Sequence, residues 1–352
     1  MRKTLTLIIL GLATLGTAVS AVEERDPVIW RAQETSSAPP RVLALYYGWY
    51  GTPEVSQKWV HYDKVDVNAK RIGSHVGYPQ LGPYDSTDAK LLEQHVKVAE
   101  AAGIQTFVCS WWGKGDQTDI NFRKLLPLAA RRKMTICPLY ESISGQRDAA
   151  SAMTDLRYLI KEYGDSPGFL KLNGKPVVFV YDRAWTQIEP ERWADMMAAI
   201  QKSDPPGVAL ISDGADLPRA LVADGLFTLN PAPAYAGKTI SVVPDTFRSL
   251  FSPVVDKAAR FHRIPIVTIS PGYDETRSVP KGIVLDRRDG EFYRLQWKSA
   301  LSVPGAWILI NSFNQWHSGT AVEPSLEFGD TYLRITQEMS SFVGRRNSSE
   351  KR

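Results

Sequence analysis

Ala306-Trp307-Ile308-Leu309-Ile310 runs directly into Asn311-Ser312-Phe313-Asn314-Gln315-Trp316-His317-Ser318-Gly319-Thr320. The first five residues are apolar without alternation, as expected of a strand covered on both faces. The next ten concentrate amide, hydroxyl, imidazole and indole groups where such a strand would end. In a parallel α/β barrel, chemistry sits at the C-terminal ends of the strands. This stretch therefore sets both a fold expectation and a site expectation.

Working outward, eight short apolar runs of this kind are spaced along the chain, at residues 42–47, 105–111, 134–141, 176–182, 208–213, 225–229, 264–270 and 306–313. Helical patterns lie between them. Leu91, Leu92, His95, Val96 and Ala99 share one face, as do Ala152, Leu156, Leu159, Ile160 and Tyr163, and Trp193, Met196, Met197 and Ile200. Gly103 and Gly164 stand where two helices should stop, and Pro253 after Ser252 suits a first helical turn. Strand then helix, repeated over residues 41–343, predicts an α/β fold with a single (β/α)8 TIM barrel. The fifth and sixth units are the weakest, with only residues 217–222 for a helix. A doubly wound open sheet is the alternative, but no glycine-rich phosphate loop follows the first run. The long segment 48–86 after the first run, rich in aromatics and glycine, is expected to be functional.

The chain has 352 residues, 43% hydrophobic and 23% charged, enough for one large core. Residues 1–21 read as a secretory signal peptide: Arg2 and Lys3, an apolar run too short to span a bilayer, then small residues. Secretion or a periplasmic location follows, with no stable membrane insertion after cleavage. Residues 22–40 form a polar lead-in and 344–352 a disordered charged tail. The formal charge of +4 resides at the ends: Arg2 and Lys3 supply +2 and the tail +3, so the body carries −1. That body offers no electrostatic footprint for nucleic acid. Cys109 and Cys137 fall inside expected core strands and read as two buried free thiols rather than a disulfide.

The strand ends collect Tyr46, Tyr47, Trp111, Trp112, Glu141, Asp182, Asp213, Tyr273, Asp274, Arg277, Asn314, Trp316 and His317. Aromatic faces interspersed with carboxylates and amides suit sugar rings, whose C–H faces stack and whose hydroxyls take directional hydrogen bonds. The expected partner is a glycan or polysaccharide. Trp185, Trp193, Trp297 and Trp307 read as core fillers, and Asp182 and Asp213 have a competing reading as helix caps. Glu141 ends its apolar run with no helix start beside it, which favours a site role. His61, His75 and His262 are scattered in sequence and no pair has metal-ligand spacing, so neither metal nor cofactor is expected.

These residues resemble glycoside hydrolase family 99, the endo-acting α-mannosidases and α-mannanases. The likeness is carried by Tyr46-Tyr47-Gly48-Trp49-Tyr50-Gly51, Tyr78-Pro79-Gln80-Leu81-Gly82-Pro83-Tyr84, Ser110-Trp111-Trp112-Gly113, Gly272-Tyr273-Asp274-Glu275-Thr276-Arg277 and Ser312 to Thr320. The resemblance implies a (β/α)8 barrel and retaining cleavage of an α-mannosidic bond within a glycan. In that family the last motif reads Asn-Glu-Trp-His-Glu-Gly; its first Glu helps the substrate 2-hydroxyl attack the anomeric carbon and its second is general acid and then base. Here Gln315 and Ser318 stand at those places. Glu141 matches a further active-site glutamate, and the Tyr, Trp and Asn positions match sugar-binding groups.

An amide does not take a proton from a hydroxyl at neutral pH, and serine is a poor proton donor to a leaving oxygen. Loss of such help costs about 10²–10⁴-fold per group. Two expectations follow: a glycosidase whose working carboxylates include Glu141 and another of Asp182, Asp213, Asp274, Glu275 or Glu323, or a glycan-binding pseudoenzyme. Glu323 is also expected near the ligand, five residues past Ser318.

Overall fold

The computed structural model describes residue 39 and residues 41–343. The expected leader, most of the lead-in and the tail lie outside the described residues. All eight apolar runs are strands: β1 (Val42–Tyr46), β2 (Thr106–Trp111), β3 (Thr135–Tyr140), β4 (Lys175–Val180), β5 (Ala209–Asp213), β6 (Gly225–Phe227), β7 (Ile264–Ile269) and β8 (Trp307–Ile310). Every neighbour is parallel, in the order β3-β2-β1-β8-β7-β6-β5-β4, and β3 also pairs with β4. The sheet is therefore a closed barrel.

A helix follows each strand: α1 (Ala89–Ala101), α2 (Gln117–Arg131), α3 (Ala149–Tyr163), α4 (Pro190–Ser203), α5 (Leu217–Val222), α6 (Val243–Arg260), α7 (Glu291–Leu301) and α8 (Thr331–Ser340). The apolar faces read from spacing are the buried ones in α1 and α3; in α4 Trp193, Met196 and Ile200 are buried and Met197 is partly so. Asp88, Asp116, Asp148 and Asp216 cap α1, α2, α3 and α5 through their carboxylates. Pro253 departs from expectation: it lies inside α6, which begins instead at Val243 with Pro244 in its first turn. A proline there costs the hydrogen bond its missing N–H would make, which the packed face of Phe247, Phe251, Val254 and Val255 offsets.

The strands are mostly apolar on both faces because one face lines the barrel and the other meets helices. Gly225 identifies the interior face: a Cβ there would stand 2.7 Å from Ile211 Cδ1 and 3.1 Å from Ile266 Cδ1. Cys109 and Cys137 are free and buried, as expected. Trp185, Trp193, Trp297 and Trp307 are buried fillers. Among the described residues no helix is long and apolar enough to cross a membrane.

Segment 48–86 is folded over the chain that leaves β8. The Tyr50 hydroxyl donates to Asn314 O at 3.0 Å, Val76 N donates to Trp316 O at 2.8 Å, and Gln80 N donates to Pro324 O at 2.9 Å. Beneath this contact lies a buried polar chain. Tyr46 Oη–H donates to His95 Nδ1 (3.1 Å), His95 Nε2–H to Glu323 Oε1 (3.0 Å), and Tyr84 Oη–H and Trp316 Nε1–H to Glu323 Oε2 (2.8 and 3.2 Å). One neutral tautomer of His95 satisfies both of its contacts.

Glu323→Ala would leave these buried donors without an acceptor, at about 1–3 kcal/mol for each group stranded. Urea unfolding should register a loss of at least about 2 kcal/mol, with Glu323→Gln, which keeps an acceptor oxygen, losing less.

Candidate functional site

The mouth of the barrel is built where β1, β2, β3, β4, β5 and β8 end. Glu141, the first residue after β3, is 5% exposed. Ser110 Oγ–H donates to its Oε1 at 2.8 Å, and Ser110 in turn accepts from Trp112 Nε1 at 3.0 Å. Arg183 grips Glu141 twice, from Nη2 to Oε2 (2.9 Å) and from Nε to the backbone oxygen (3.0 Å). The guanidinium lies 4.6 Å from the Trp112 ring centre and 5.2 Å from that of Tyr181. Burial pushes the Glu141 carboxyl up, and Ser110 and Arg183 oppose that rise. Trp112 is 37% exposed.

Tyr47 closes the other side. Its phenol is raised by burial and then by the charge of Glu141, with a hydrogen bond to Gln315 opposing both. Tyr181 feels Asp213 and Glu141 together. Asp213, at the end of β5, is 7% exposed and accepts from Leu229 N at 2.9 Å and Asp182 N at 3.4 Å. Burial pushes its carboxyl up to about 6; the two backbone donors and Arg219 oppose the rise, and Asp182 adds to it. Asp213 does not cap α5, a task Asp216 performs, and the Asp182 carboxylate caps no helix either: it pairs with Arg219.

The opening stretch turns at Gln315, His317 and Ser318, the half-buried positions between buried anchors, and its Asn311–Ser312 peptide is cis. Gln315 Oε1 accepts from His317 N at 3.2 Å and lies 3.1 Å from His317 Nδ1. His317 Nε2 lies 3.0 Å from His61 O. Ser318 Oγ is 3.3 Å from Thr320 Oγ1, and Gly319 sits against Asp274, a Cβ there being 3.4 Å from Asp274 Cβ.

Several residues expected against a ligand lie instead beneath this surface. Tyr46 and Trp111 point outward to helices, bonded to His95 and to Asp119. Asn314 is fully buried and spans the Tyr47 backbone, accepting from its N at 2.8 Å and donating to its O at 3.0 Å. Trp316 and Glu323 belong to the buried chain already described. All of these hold up the mouth because their polar atoms are taken by protein. Tyr273 is half-buried with its hydroxyl on Glu275 (2.7 Å), and Arg277 is exposed on the loop joining the short strands Tyr273–Asp274 and Val284–Leu285.

The histidines were not scattered in space. His61 and His75 meet His317 at ring separations of 6.0 and 4.9 Å, and Trp49 stacks on His61 at 4.4 Å. Among the described residues no group of three or more His, Cys, Asp or Glu could hold a metal ion. Sequence alone gave no role to Arg183, Ser110 or Arg287. Arg287 is half-buried and donates through Nη2 to Gly319 O and Ala321 O at 2.8 and 2.9 Å, fixing the far limb of the turn. The usable signal for Arg183 was a cation two residues past a strand-end tyrosine.

The sequence model of glycosyl hydrolase family 99 matches residues 40–333. The glycoprotein endo-alpha-1,2-mannosidase of Rattus norvegicus is 26% identical over 324 residues, covering 81% of this chain and 68% of that protein. The glycoprotein endo-alpha-1,2-mannosidase-like protein of Mus musculus is 26% identical over 329 residues, covering 80% and 69%. The solved GH99 endo-alpha-mannosidase of Bacteroides thetaiotaomicron in complex with bis-tris-propane superposes with a TM-score of 0.74 at 27% identity, over 88% of this chain and 98% of that one.

Two titrations check the electrostatics. The Asp213 carboxyl sits near 6 against an ordinary 3.8, so its protonated form is the one the fold favours. The stability it contributes is present below about pH 4 and lost as pH rises through 6. Asp213→Asn should therefore gain on the parent between those pH values, by up to about 3 kcal/mol in urea unfolding. Burial and neighbouring His61 lower His317 to about 4. Gln315→Glu would set a carboxylate about 3 Å from its ring, and NMR titration should move His317 upward by more than about one pH unit.

Proposed function

This chain belongs to glycosyl hydrolase family 99, and from that premise we propose that it hydrolyses an α-linked, mannose-containing glycan. The glycan would lie in the groove at the C-terminal ends of the barrel strands, and export by the leader read from residues 1–21 would put the protein where polysaccharide is met. The observation that carries the proposal is Glu141: a buried carboxyl at the mouth of the barrel, bonded by Arg183 and Ser110. Tyr47, Trp112 and Tyr181 surround it.

Tasks follow from this reading. The partly exposed ring of Trp112 and the rings of Tyr47 and Tyr181 supply aromatic surface for a pyranose. Glu141 accepts from sugar hydroxyls or from water, and Arg183 fixes its orientation so that little reorganisation accompanies the reaction. Tyr273, His317 and Arg277 are assigned to the opposite wall, and Asp182 to the edge beyond Tyr181. Gln315 offers a hydrogen bond where the family resemblance expects a carboxylate, and Ser318 offers a short hydroxyl.

Binding without cleavage is the second reading, favoured by one specific observation. Gln315 Oε1 is already turned to His317, and Ser318 Oγ to Thr320, so neither side chain supplies a proton donor or base of suitable strength.

Incubation with an α-mannan polysaccharide, with reducing ends and binding measured in parallel, separates the two. Under the enzyme reading, reducing ends appear and Glu141→Gln lowers their release at least about 100-fold. Saturable binding without reducing ends, unchanged in Glu141→Gln, would leave only the binding reading. Gln315→Glu combined with Ser318→Glu should raise mannan cleavage by about 100-fold or more if these positions face the reacting bond.

A further inference from the structure

We propose that Arg183 is a positioning residue that locks Glu141 and the Trp112 ring into one unit, so that the aromatic surface and the carboxyl offered to a sugar are set together. That a sugar is what meets them rests on the glycosidase reading above.

Strand register puts the two groups side by side. Trp111 pairs with Tyr140 across β2 and β3, and Glu141 N donates to Trp111 O at 3.1 Å. Trp111 and Tyr140 turn outward to Asp119 of α2 and Asp155 of α3, so the next residue of each strand, Trp112 and Glu141, turns toward the mouth. Four groups then close a loop. Trp112 Nε1–H donates to Ser110 Oγ (3.0 Å), and Ser110 Oγ–H donates to Glu141 Oε1 (2.8 Å). Arg183 Nη2–H donates to Glu141 Oε2 (2.9 Å), and its guanidinium returns over the Trp112 ring at 4.6 Å. Hydrogen bonds that share a hydroxyl polarise one another, so a change of charge at Glu141 reaches the indole N–H.

Arg183 stands on a braced support. It lies in the single helical turn Asp182–Trp185 after β4, and Trp185 stacks on Trp193 of α4 with ring centres 5.2 Å apart. Just past that turn, Gln187 donates to Ser142 Oγ at 2.8 Å and accepts from Ile143 N at 2.7 Å. With Arg183 Nε on Glu141 O at 3.0 Å, the chain after β4 grips Glu141, Ser142 and Ile143 in succession. On the other side Trp112 N donates to Thr118 Oγ1 at 3.0 Å, which ties the ring to the start of α2. The unit also bears on solvent: the Arg183 side chain is 45% exposed and Trp112 37%, while Glu141 is buried between them. A purely internal ion pair would leave neither within reach of a ligand.

The arrangement calls for arginine. Its planar fork sends Nε to the backbone oxygen and Nη2 to the carboxyl while the cationic carbon stays over the indole; an ammonium is a point charge that pairs with the carboxyl alone. Tyr47 and Tyr181 also face Glu141. Burial and then Glu141 raise the first phenol, and burial, Asp213 and Glu141 raise the second, so both are uncharged near neutrality. Among the described residues Arg183 is thus the cation that opposes the effect of burial on Glu141.

The test uses the full chain with isotope-labelled glutamate carboxyls and tryptophan indoles, and an α-mannan polysaccharide. In NMR of the parent, the Trp112 N–H resonance should titrate with the midpoint of Glu141. Arg183→Met should raise that midpoint by more than about one pH unit and carry the indole resonance with it. It should also weaken mannan binding about threefold or more. Arg183→Lys should bring the midpoint back to within about half a unit of the parent, yet leave mannan binding weakened. In reducing-end assays, the acid limb of kcat/KM should move with the midpoint in Arg183→Met and return in Arg183→Lys. An indole resonance that ignores the carboxyl titration in the parent, or an unchanged midpoint in Arg183→Met, overturns the assignment and leaves the glycosidase reading standing. So does mannan binding by Arg183→Lys equal to the parent's, a comparison that holds even where Arg183→Met does not fold. A parent whose two resonances move together but which releases no reducing ends keeps the assignment and loses the glycosidase reading alone.

Discussion

The side chain of Asn314 bonds both backbone groups of Tyr47, and the mouth of the barrel depends on that pair. The β1–β8 ladder pairs Ala44 with Ile310, after which the chain leaving β8 turns away. A Tyr47 backbone left buried without partners would cost about 1–3 kcal/mol per group. The Asn314 amide supplies an acceptor and a donor in the sense a strand would, so β1 stays satisfied past the point where β8 departs. Two consequences follow. The Tyr47 ring is held toward Glu141, and the chain from 315 to 318 is released to turn at the surface, with Tyr50 fastening it from above.

Burial alone does not decide what a carboxylate at this mouth does; the partners do. Glu323 accepts from His95, Tyr84 and Trp316 and is spent on structure. Glu141 has one hydroxyl and one guanidinium, and that guanidinium is partly exposed and shared with two aromatic rings. Asp213 has two backbone donors and, among the described residues, no bonded cation. The first is a closed network. The second is a carboxyl held in place by two side chains, and the third is a carboxyl that burial raises to about 6.

The fold was legible because its causes are local. Strands buried on both faces must be apolar without alternation, and helices covering a barrel must be apolar along one stripe, so β1 to β8 and the faces of α1 and α3 could be read directly. Pro253 misled because packing of Phe247, Phe251 and their neighbours overrides a local preference. The mouth was legible as a place and less so as a set of contacts. Tyr47, Trp112, Glu141 and His317 come to it, whereas Tyr46, Trp111, Asn314, Trp316 and Glu323 support it from below. Nothing in one dimension tells a strand-end aromatic that faces in from its neighbour that faces out, because strand side chains reverse at every residue and the phase is set by packing. His61 and His75 meet His317 only because segment 48–86 folds over the turn.

The turn itself contains a mismatch. His317 presents one ring nitrogen to Gln315 Oε1 and the other to His61 O, at 3.1 and 3.0 Å. A neutral imidazole has a single N–H, so one of its nitrogens meets an oxygen lone pair to lone pair. The imidazolium would satisfy both contacts, but burial and His61 hold the ring near 4, and it is neutral at physiological pH. Rotating the Gln315 amide does not resolve the conflict, since its NH2 would then face His317 N–H. A carboxylate at 315 would: it accepts from the backbone N–H and pairs with a protonated ring, raising the histidine while lowering itself. The donors around position 315 therefore fit an anion better than the amide that occupies it. Position 318 gives no such sign, because Ser318 and Thr320 are compatible as donor and acceptor in either direction. The two positions are thus unequal: at one the surroundings still suit the missing charge, and at the other the hydroxyl fits where it is.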